Sequence, residues 1–293
     1  MKHAAKITLF LVFLFLATQF LGLIITSRYV DSVKTVETGE LSWKALPSIG
    51  GFDLERPAID PAKSVLYILG AIILGTILIL LLIKWKHISL WKLWFFIAVA
   101  LCLHIAFSAF ISAGYSLILA LIFSFIKVYR PNIFVHNFTE LFIYSGLAVI
   151  FVPVMNLFAA FILMILLSFY DMYAVWKSKH MVSMAKFQTK SGVFAGVVMP
   201  YKMPKLRAKT KKSSAKIKTA ILGGGDLGFP LIFTGVVFKS VGLYYSMIIP
   251  IFAAIALLLL LLFSKKDHFY PAMPFLTIGC FVGYFVVLLV SLI

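Results

Sequence analysis

The feature that most constrains this chain is a series of nine apolar stretches, most of them long enough to cross a membrane as a helix. A helix rises about 1.5 Å per residue, so about 20 residues span a hydrocarbon core. The stretches cover about residues 7–26, 64–83, 90–110, 112–126, 138–154, 156–176, 219–238, 241–263 and 271–293. With 62% hydrophobic residues and a mean hydropathy of +1.06, the composition is far from that of a soluble domain. The sequence therefore predicts an all-α polytopic membrane protein with nine transmembrane helices.

The charged residues divide the chain into three parts and predict its orientation. Residues 1–176 hold six predicted helices, residues 177–218 form a loop with twelve basic residues and no acidic one, and residues 219–293 hold the last three helices. Basic residues accumulate in the cytoplasm, and a cytoplasmic N-terminus places 21 of the 27 basic residues there. We therefore predict that the N-terminus and the 177–218 loop are cytoplasmic and that the C-terminus is external. The net charge of +17 then indicates orientation and attraction to anionic lipids rather than a nucleic-acid partner.

Asp226 lies inside the seventh apolar stretch, where a charge is unfavourable. An ionisable residue in such a place is by default a functional site with a partner. Of the ten acidic residues, Asp171 and Glu140 are the others in or at the edge of an apolar stretch. We interpret Glu140 as a structural residue in the first turn of a helix, where an acid interacts favourably with the helix dipole. Asp171 is therefore the candidate partner of Asp226.

The two aspartates are predicted to lie at one depth on consecutive antiparallel helices. Asp171 lies six residues before Lys177, and Asp226 lies eight residues after Lys218. Both carboxylates are thus about 9–12 Å from the cytoplasmic boundary. Two acids that face one another at close range cannot both ionise, so the pair shares a proton. Such a pair provides a general acid and a general base in one site.

Irregular backbone is predicted at the same depth. The three glycines at 223–225 allow another backbone to approach closely, and Pro230 cannot donate to the carbonyl four residues earlier. We therefore expect the helix to be irregular and hydrated from these glycines to Pro230. Residues 270–274 contain two prolines that cannot both lie in a regular helix interior, so backbone groups there are free to bind a partner.

These features resemble the motifs of the presenilin and signal-peptide-peptidase family of intramembrane aspartyl proteases, in a microbial form. The family has a Tyr-Asp motif in the sixth helix, Gly-x-Gly-Asp in the seventh and Pro-Ala-Leu at the start of the ninth. The matching residues are Tyr170 with Asp171, Gly223 to Asp226, and Pro271 to Met273. Methionine in place of leucine is a departure that conserves side-chain volume. The resemblance covers all nine stretches in order, and the three motifs together are far more specific than any one of them.

The resemblance implies a presenilin-like fold and an aspartic-type intramembrane endopeptidase. In the family, two aspartates activate water and hydrolyse a peptide bond within a transmembrane helix of the substrate. Asp171 and Asp226 would be this catalytic pair. The residues that it assigns to substrate binding are Pro271, Ala272, Met273, Gly223 and Gly225, with Tyr170 in support of Asp171. It also implies single-span membrane-protein substrates and no metal or other cofactor, and it leaves a homo-oligomer open.

The basic loop contains an apolar island at residues 192–199, followed by prolines at 200 and 204. A substrate helix must unwind before it is cut, and its freed backbone groups then need hydrogen-bond partners, which the edge of a strand would supply. We hypothesise that the island provides this strand. The resemblance also implies that it is a plug or a self-cleavage site. The alternative is an apolar segment that lies on the surface.

Two other classes of protein also use carboxylates within a membrane. A proton-coupled transporter or ion channel uses such acids as relays, but inverted repeats would favour that interpretation and we find none. A prepilin or preflagellin peptidase shares Gly-x-Gly-Asp, but it has fewer spans, and the Pro-Ala-Met segment argues against it.

The remaining polar motifs favour structural roles. Cys102 and Cys280 fall inside apolar stretches and predict buried free thiols rather than a disulfide or a zinc site. His104 stands alone in the third stretch, which is typical of a hydrogen-bonded packing residue.

Residues 223–228 also fit a Gly-x-Gly-x-x-Gly nucleotide motif, but no βαβ unit surrounds them. Two carboxylates undersupply calcium or magnesium, so no metal site is predicted.

Overall fold

The fold is known from a computed structural model, which describes residues 5–85, 87–177, 187–188, 192–200, 219–264 and 270–291. This part of the chain forms ten α-helices and one two-stranded sheet. The helices are α1 (Ala5–Arg28), α2 (Ser32–Thr38), α3 (Ser64–Trp85), α4 (Ile88–Ser108), α5 (Ala113–Tyr129), α6 (Ile133–Val154), α7 (Leu157–Met172), α8 (Gly224–Ser246), α9 (Ile248–Phe263) and α10 (Met273–Ser291). The strands are β1 (Gly196–Pro200) and β2 (Thr219–Gly223).

Nine of these helices are apolar and follow the nine predicted stretches in order. Seven are long and apolar enough to cross a membrane, and α5 and α9 are shorter apolar helices. The remaining helix, α2, is short and lies in the first polar loop. The prediction of a helical membrane protein with nine spans is thus confirmed, and the small sheet is an addition to it.

The fifth span begins earlier than predicted. Its helix, α6, starts at Ile133 rather than at about residue 138, because the side chain of Asn132 caps it by accepting the Phe134 N–H at 2.9 Å. Glu140 therefore lies two turns inside the helix, and its interpretation as a first-turn residue is wrong. Glu140 is instead buried, and its Oε1 lies 2.6 Å from Nζ of Lys127 on α5.

The seventh span also differs from the prediction. Its first residues form β2, so the glycines at 223–225 lie where the strand becomes helix α8 rather than inside a helix. Within α8 the non-helical backbone is at Gly242, with a φ of 79°, and the helix passes regularly through Pro230. The expected irregularity at Pro230 is therefore wrong: the proline leaves the Asp226 carbonyl without an intrahelical donor, yet the helix continues through it.

Helix α6 lies at the centre of the bundle, where it packs against α1, α4 and α8. Its Gly146 lies directly against the backbone of Cys102 on α4. Gly279 of α10 approaches α9 in the same way, since an added Cβ would lie 2.8 Å from Cα of Ala253. Small residues at such contacts are how helices pack closely in membranes. Helix α3 is peripheral, since only 17% of its most apolar stretch is buried.

The first polar loop is anchored to the end of the bundle opposite the aspartates. The hydroxyl of Tyr29 donates to the carbonyl oxygen of Ile105 at 2.7 Å, and Val30 pairs with Trp43 across the loop. Burial raises the pKa of Tyr29 to about 12. Tyr29 therefore remains a neutral donor at physiological pH and holds the loop on α4.

The isolated polar residues have the structural roles that were predicted. Cys102 and Cys280 are buried free thiols. His104 is buried, with Nδ1 2.7 Å from Oγ of Ser116 and Nε2 3.3 Å from the carbonyl oxygen of Ser48. His104 is thus a hydrogen-bonded packing residue between α4, α5 and the first polar loop.

Candidate active site

Asp171 lies at the end of α7, with its side chain buried against the start of α10. Two polar contacts join these helices nearby. Oγ of Ser168 lies 2.8 Å from Oγ1 of Thr277, and the Thr277 hydroxyl also contacts the carbonyl oxygen of Met164 at 3.3 Å. After Asp171 the helix widens into a π-helical turn, Tyr173–Lys177. The α7–α10 contact therefore fixes where the first residues of α10 meet the carboxylate.

The start of α10 supplies backbone donors to Asp171. The N–H of Met273 donates to Oδ2 at 3.1 Å, and the N–H of Ala272 also binds the carboxylate. Met273 is the first residue of α10, so its N–H has no partner within the helix, and the positive end of the helix dipole faces the acid. Free backbone groups were expected in residues 270–274, and Asp171 is their partner.

Asp226 is the third residue of α8, and Gly223 is the residue that caps this helix. Its carboxylate accepts a hydrogen bond from the backbone of Gly223. This is one half of a capping box, in which an acid in the first turn reaches back to the capping N–H. A Cβ at position 223 would lie 3.2 Å from Oδ2 of Asp226, which explains a glycine there. The carboxylate is thus held at the junction of β2 and α8.

The two carboxylates are close enough to interact electrostatically. Asp171 is buried and Asp226 is partly exposed. The positive ends of two helices, α8 and α10, meet at the pair, and this favours one negative charge shared between the acids. One acid can then hold a proton while the other accepts one. Within the described residues, no cluster of three or more His, Cys, Asp or Glu residues could hold a metal ion.

The other predicted site residues lie around the same junction. Pro271 is buried and directly precedes the two donors to Asp171. Gly225 is exposed beside Asp226, and a Cβ there would lie 3.3 Å from the Phe229 ring. The hydroxyl of Tyr170 lies 3.2 Å from Oγ1 of Thr76 on α3. Tyr170 therefore joins the end of α7 that carries Asp171 to the peripheral helix α3.

Part of the apolar island forms a strand, β1, but this strand is not open to a substrate as hypothesised, because β2 pairs with one edge and side chains of α6 bind the other. β1 pairs antiparallel with β2, with Gly196 opposite Gly223 and Pro200 opposite Thr219. The carbonyl of Ala195 also accepts the N–H of Gly224 at 3.2 Å. β1 is thereby fixed to the segment that carries Asp226. Residues 178–186 and 201–218, with most of the loop's basic side chains, lie outside the described residues, as does the predicted contact with lipids.

A buried polar cluster on α5 and α6 contacts the junction of β2 and α8. The sequence did not predict this cluster. Its members are Lys127, His136, Asn137, Glu140 and Tyr144. The Tyr144 hydroxyl donates to Oε2 of Glu140 and lies beside Gly224, where a Cβ would be 2.5 Å from it. A signal was present, because residues 136, 140 and 144 are spaced by one helical turn and share a face. The late predicted start of α6 left His136 in a loop and concealed this spacing.

Comparisons with known proteins agree with the geometry. The family model described as signal-peptide peptidase, presenilin aspartyl protease matches residues 48–293. A presenilin family intramembrane aspartate protease solved in space group C222 has a TM-score of 0.62 and 18% identity, covering 97% of this chain and 99% of that chain. A second structure of a presenilin family intramembrane aspartate protease, solved in space group P2, has a TM-score of 0.62 and 17% identity, covering 96% of this chain and 97% of that chain. At these identities the likeness shows a shared fold. A search of curated protein sequences found no match.

Proposed function

Because this chain belongs to the signal-peptide-peptidase and presenilin family of aspartyl proteases, it is an intramembrane aspartyl endopeptidase, and we propose that Asp171 and Asp226 are its catalytic pair. The observation that carries this proposal is the interaction of the two carboxylates where α8 and α10 begin. Glu140, the other acid buried in the described bundle, is engaged by Lys127. The family assignment favours a protease over a transporter or a prepilin-type peptidase.

The proposed chemistry uses the pair as one acid and one base. The ionised aspartate takes a proton from water as the water attacks the scissile carbonyl carbon, and the protonated aspartate donates to the developing oxyanion. The roles then reverse as the tetrahedral intermediate collapses and the amine leaves with a proton. This hydrolysis requires neither a metal ion nor a covalent intermediate. The N–H groups of Ala272 and Met273 hold Asp171 in position throughout.

The family acts on membrane proteins, and we propose that the substrates of this chain are single-span helices. The scissile segment must unwind, and its freed N–H and C=O groups require partners. The edge of β2 that faces away from β1 supports this step, since the strand leads directly to Asp226 and its Ile221 side chain is 40% exposed. A substrate strand paired there would lie beside the catalytic pair. Gly223 and Gly225 would let its backbone approach closely.

We propose the orientation that the basic residues favour, with the N-terminus and residues 177–218 in the cytoplasm and the C-terminus outside. Helix α7 runs towards this loop and β2 follows it, so in this orientation the proposed catalytic pair would lie at the cytoplasmic end of the bundle. Residues 1–176 then supply Asp171, and residues 219–293 supply Asp226 and the Pro-Ala-Met segment. The basic loop between them would contact anionic lipid headgroups, and self-association stays open.

The test uses purified protein and a single-span substrate that carries a tag at each end. Wild type, Asp171→Asn, Asp226→Asn and the control Glu37→Gln, a change of an exposed acid on α2, are compared by mass spectrometry of the products. Wild type and Glu37→Gln are expected to cut within the apolar span, and both asparagine variants to be inactive while they still unfold cooperatively. Cutting by Asp226→Asn at a normal rate would refute the proposal.

A further inference from the structure

The outer edge of β1 is paired with side chains of α6 instead of another strand. Asn137 binds Val198 as a neighbouring strand would, with Nδ2 donating to the Val198 carbonyl and Oδ1 accepting the Val198 N–H, both at 2.9 Å. One residue pair further on, Oε2 of Glu140 accepts the Gly196 N–H at 2.9 Å, and Nε2 of His136 donates to the Gly196 carbonyl at 2.7 Å. The N–H and C=O groups of Gly196 and Val198, which point away from β2, are therefore all hydrogen-bonded to side chains of α6.

The side chains that bind β1 are themselves fixed by a buried ion pair. Nζ of Lys127 donates to Oε1 of Glu140 at 2.6 Å, to Nδ1 of His136 at 3.2 Å and to the His136 carbonyl at 3.4 Å. The tautomer of His136 follows, because Nδ1 accepts here while Nε2–H donates to β1. Tyr144 donates to the second oxygen of Glu140. A buried polar network in which the donors find acceptors is rigid.

This docking determines which edge of the sheet is open. Outward and inward hydrogen bonds alternate along an antiparallel strand. Since Gly196 and Val198 face α6, Val197 and Met199 face their partners Leu222 and Ala220 on β2. The N–H and C=O groups of Ile221 consequently point away from β1. The next residue of β1 on its outer edge, Pro200, has no N–H. A new strand can thus add beside β2 and not beside β1.

The docking of β1 on α6 is connected to Asp226 through short contacts at the junction of β2 and α8. β2 ends at Gly223, the cap of α8 whose backbone binds Asp226. Ala195, immediately before β1, accepts the N–H of Gly224. Tyr144 also lies beside Gly224, where an added Cβ would be 2.5 Å from its hydroxyl oxygen. A shift of β1 along α6 would therefore move the outward edge of β2 relative to Asp226.

We propose that His136, Asn137 and Glu140 on α6 are positioning residues that dock β1 and so set which peptide bond of the substrate reaches the aspartates. The inference rests on the proposed function, because it assumes that the substrate pairs with the outward edge of β2. These residues touch neither the scissile bond nor the carboxylates. They act by fixing the register between the sheet and the catalytic pair, so their loss changes where the substrate is cut as well as how fast.

Asn137→Leu tests the proposal, because it keeps the side-chain size and removes both bonds to Val198. The control is Thr139→Val, a buried neighbour on α6 whose hydroxyl bonds only backbone carbonyls of its own helix, those of Val135 and His136. For Asn137→Leu we expect the main cut to move by about one or two residues and kcat to fall by about 10- to 100-fold, with KM little changed. Thr139→Val should cut where wild type does. A lost structural contact alone would lower the yield of folded protein without moving the cut.

Two further measurements keep the outcome decisive. Asn137→Asp retains the acceptor for the Val198 N–H and loses the donor, so its shift should be smaller; if Asn137→Leu does not fold, wild-type products from Asn137→Asp overturn the proposal. Hydrogen exchange of residues 192–200 should quicken in Asn137→Leu, and unchanged protection there also overturns it. Failure of the proposed function gives a different result, because Asp226→Asn would then still cut. Failure of this inference leaves Asp226→Asn inactive and Asn137→Leu cutting at the wild-type positions and rate.

Discussion

The backbone N–H of Met273 donates a 3.1 Å hydrogen bond to Oδ2 of Asp171, and this bond joins residues 102 positions apart in the sequence. It ties the first residue of the last helix to an acid at the end of α7. The Pro-Ala-Met segment therefore contacts Asp171, one member of the proposed catalytic pair, through its backbone. A role in holding Asp171 is added to the substrate binding that the family resemblance implies for this segment.

If the N–H of position 273 matters more than its side chain, Met273→Leu and Met273→Pro should differ strongly. Leucine keeps the donor and a similar volume, so near-wild-type kcat is expected. Proline removes the donor, while its ring is tolerated in the first turn of a helix. A hydrogen bond to a charged group contributes about 1.5–3 kcal/mol, so kcat should fall by about 10- to 150-fold. Steady-state cleavage of the tagged substrate measures both, and equal kcat values would contradict this role.

Gly224 is expected to be intolerant of a side chain because of Tyr144. A Cβ at position 224 would lie 2.5 Å from the Tyr144 hydroxyl, which is held by Glu140. Gly224→Ala should therefore displace the start of α8 and lower kcat by about 10-fold or more. The double variant Gly224→Ala with Tyr144→Phe removes the clashing oxygen and should recover part of the rate. Cleavage assays on the two variants and on wild type test this, and a fully active Gly224→Ala would show that the junction relaxes freely.

The sequence predicted the helices well and singled out the two aspartates, because both leave strong local signals. Apolar runs of about 20 residues define spans without any tertiary information. A carboxylate such as Asp226 inside such a run is rare enough to indicate a functional site. The spacing from the neighbouring basic residues also predicted one depth for Asp171, Asp226 and the segment before α10, and in the structure Asp171 interacts with Asp226 and with Met273.

The sheet and the polar cluster could not be found in the same way. Residues 219–223 are apolar, and a short apolar run does not distinguish a strand from the start of a helix. Its strand exists because β1 pairs with it, and β1 in turn depends on side chains of α6. Recognising these side chains required the true start of α6 at Ile133, where polar residues in the first turns resemble a loop. The pairing of Lys127 with Glu140 is a tertiary fact of this kind.

Glu140→Gln should strongly destabilise the protein, because it leaves Lys127 buried without its anionic partner. Breaking a buried ion pair by changing one member costs about 3–5 kcal/mol. The double variant Glu140→Gln with Lys127→Met removes the charge as well, so it should recover a large part of that stability. The midpoint of thermal unfolding in detergent is the measurement, with Glu37→Gln as the exposed control. A single variant as stable as wild type would mean that Lys127 finds another partner or water.

Lys239 of α8 is expected to stabilise the bundle at the end opposite the aspartates. Its Nζ lies 2.7 Å from the carbonyl oxygen of Met155, 3.3 Å from that of Val152 and 3.4 Å from that of Pro153. These carbonyls belong to the end of α6 and the residue after it, where a helix has no intrahelical donors left.

Lys239→Met keeps the apolar stem and removes the donors, so unfolding should become easier by about 1–3 kcal/mol. The control Lys34→Met changes an exposed lysine on α2 and should have little effect. Because Lys239 lies far along α8 from Asp226, we expect the cut positions and the kcat of folded Lys239→Met to match wild type at low temperature. Thermal unfolding together with product mass spectrometry separates the two effects. A shift in the cut positions would instead show that the two ends of α8 are coupled.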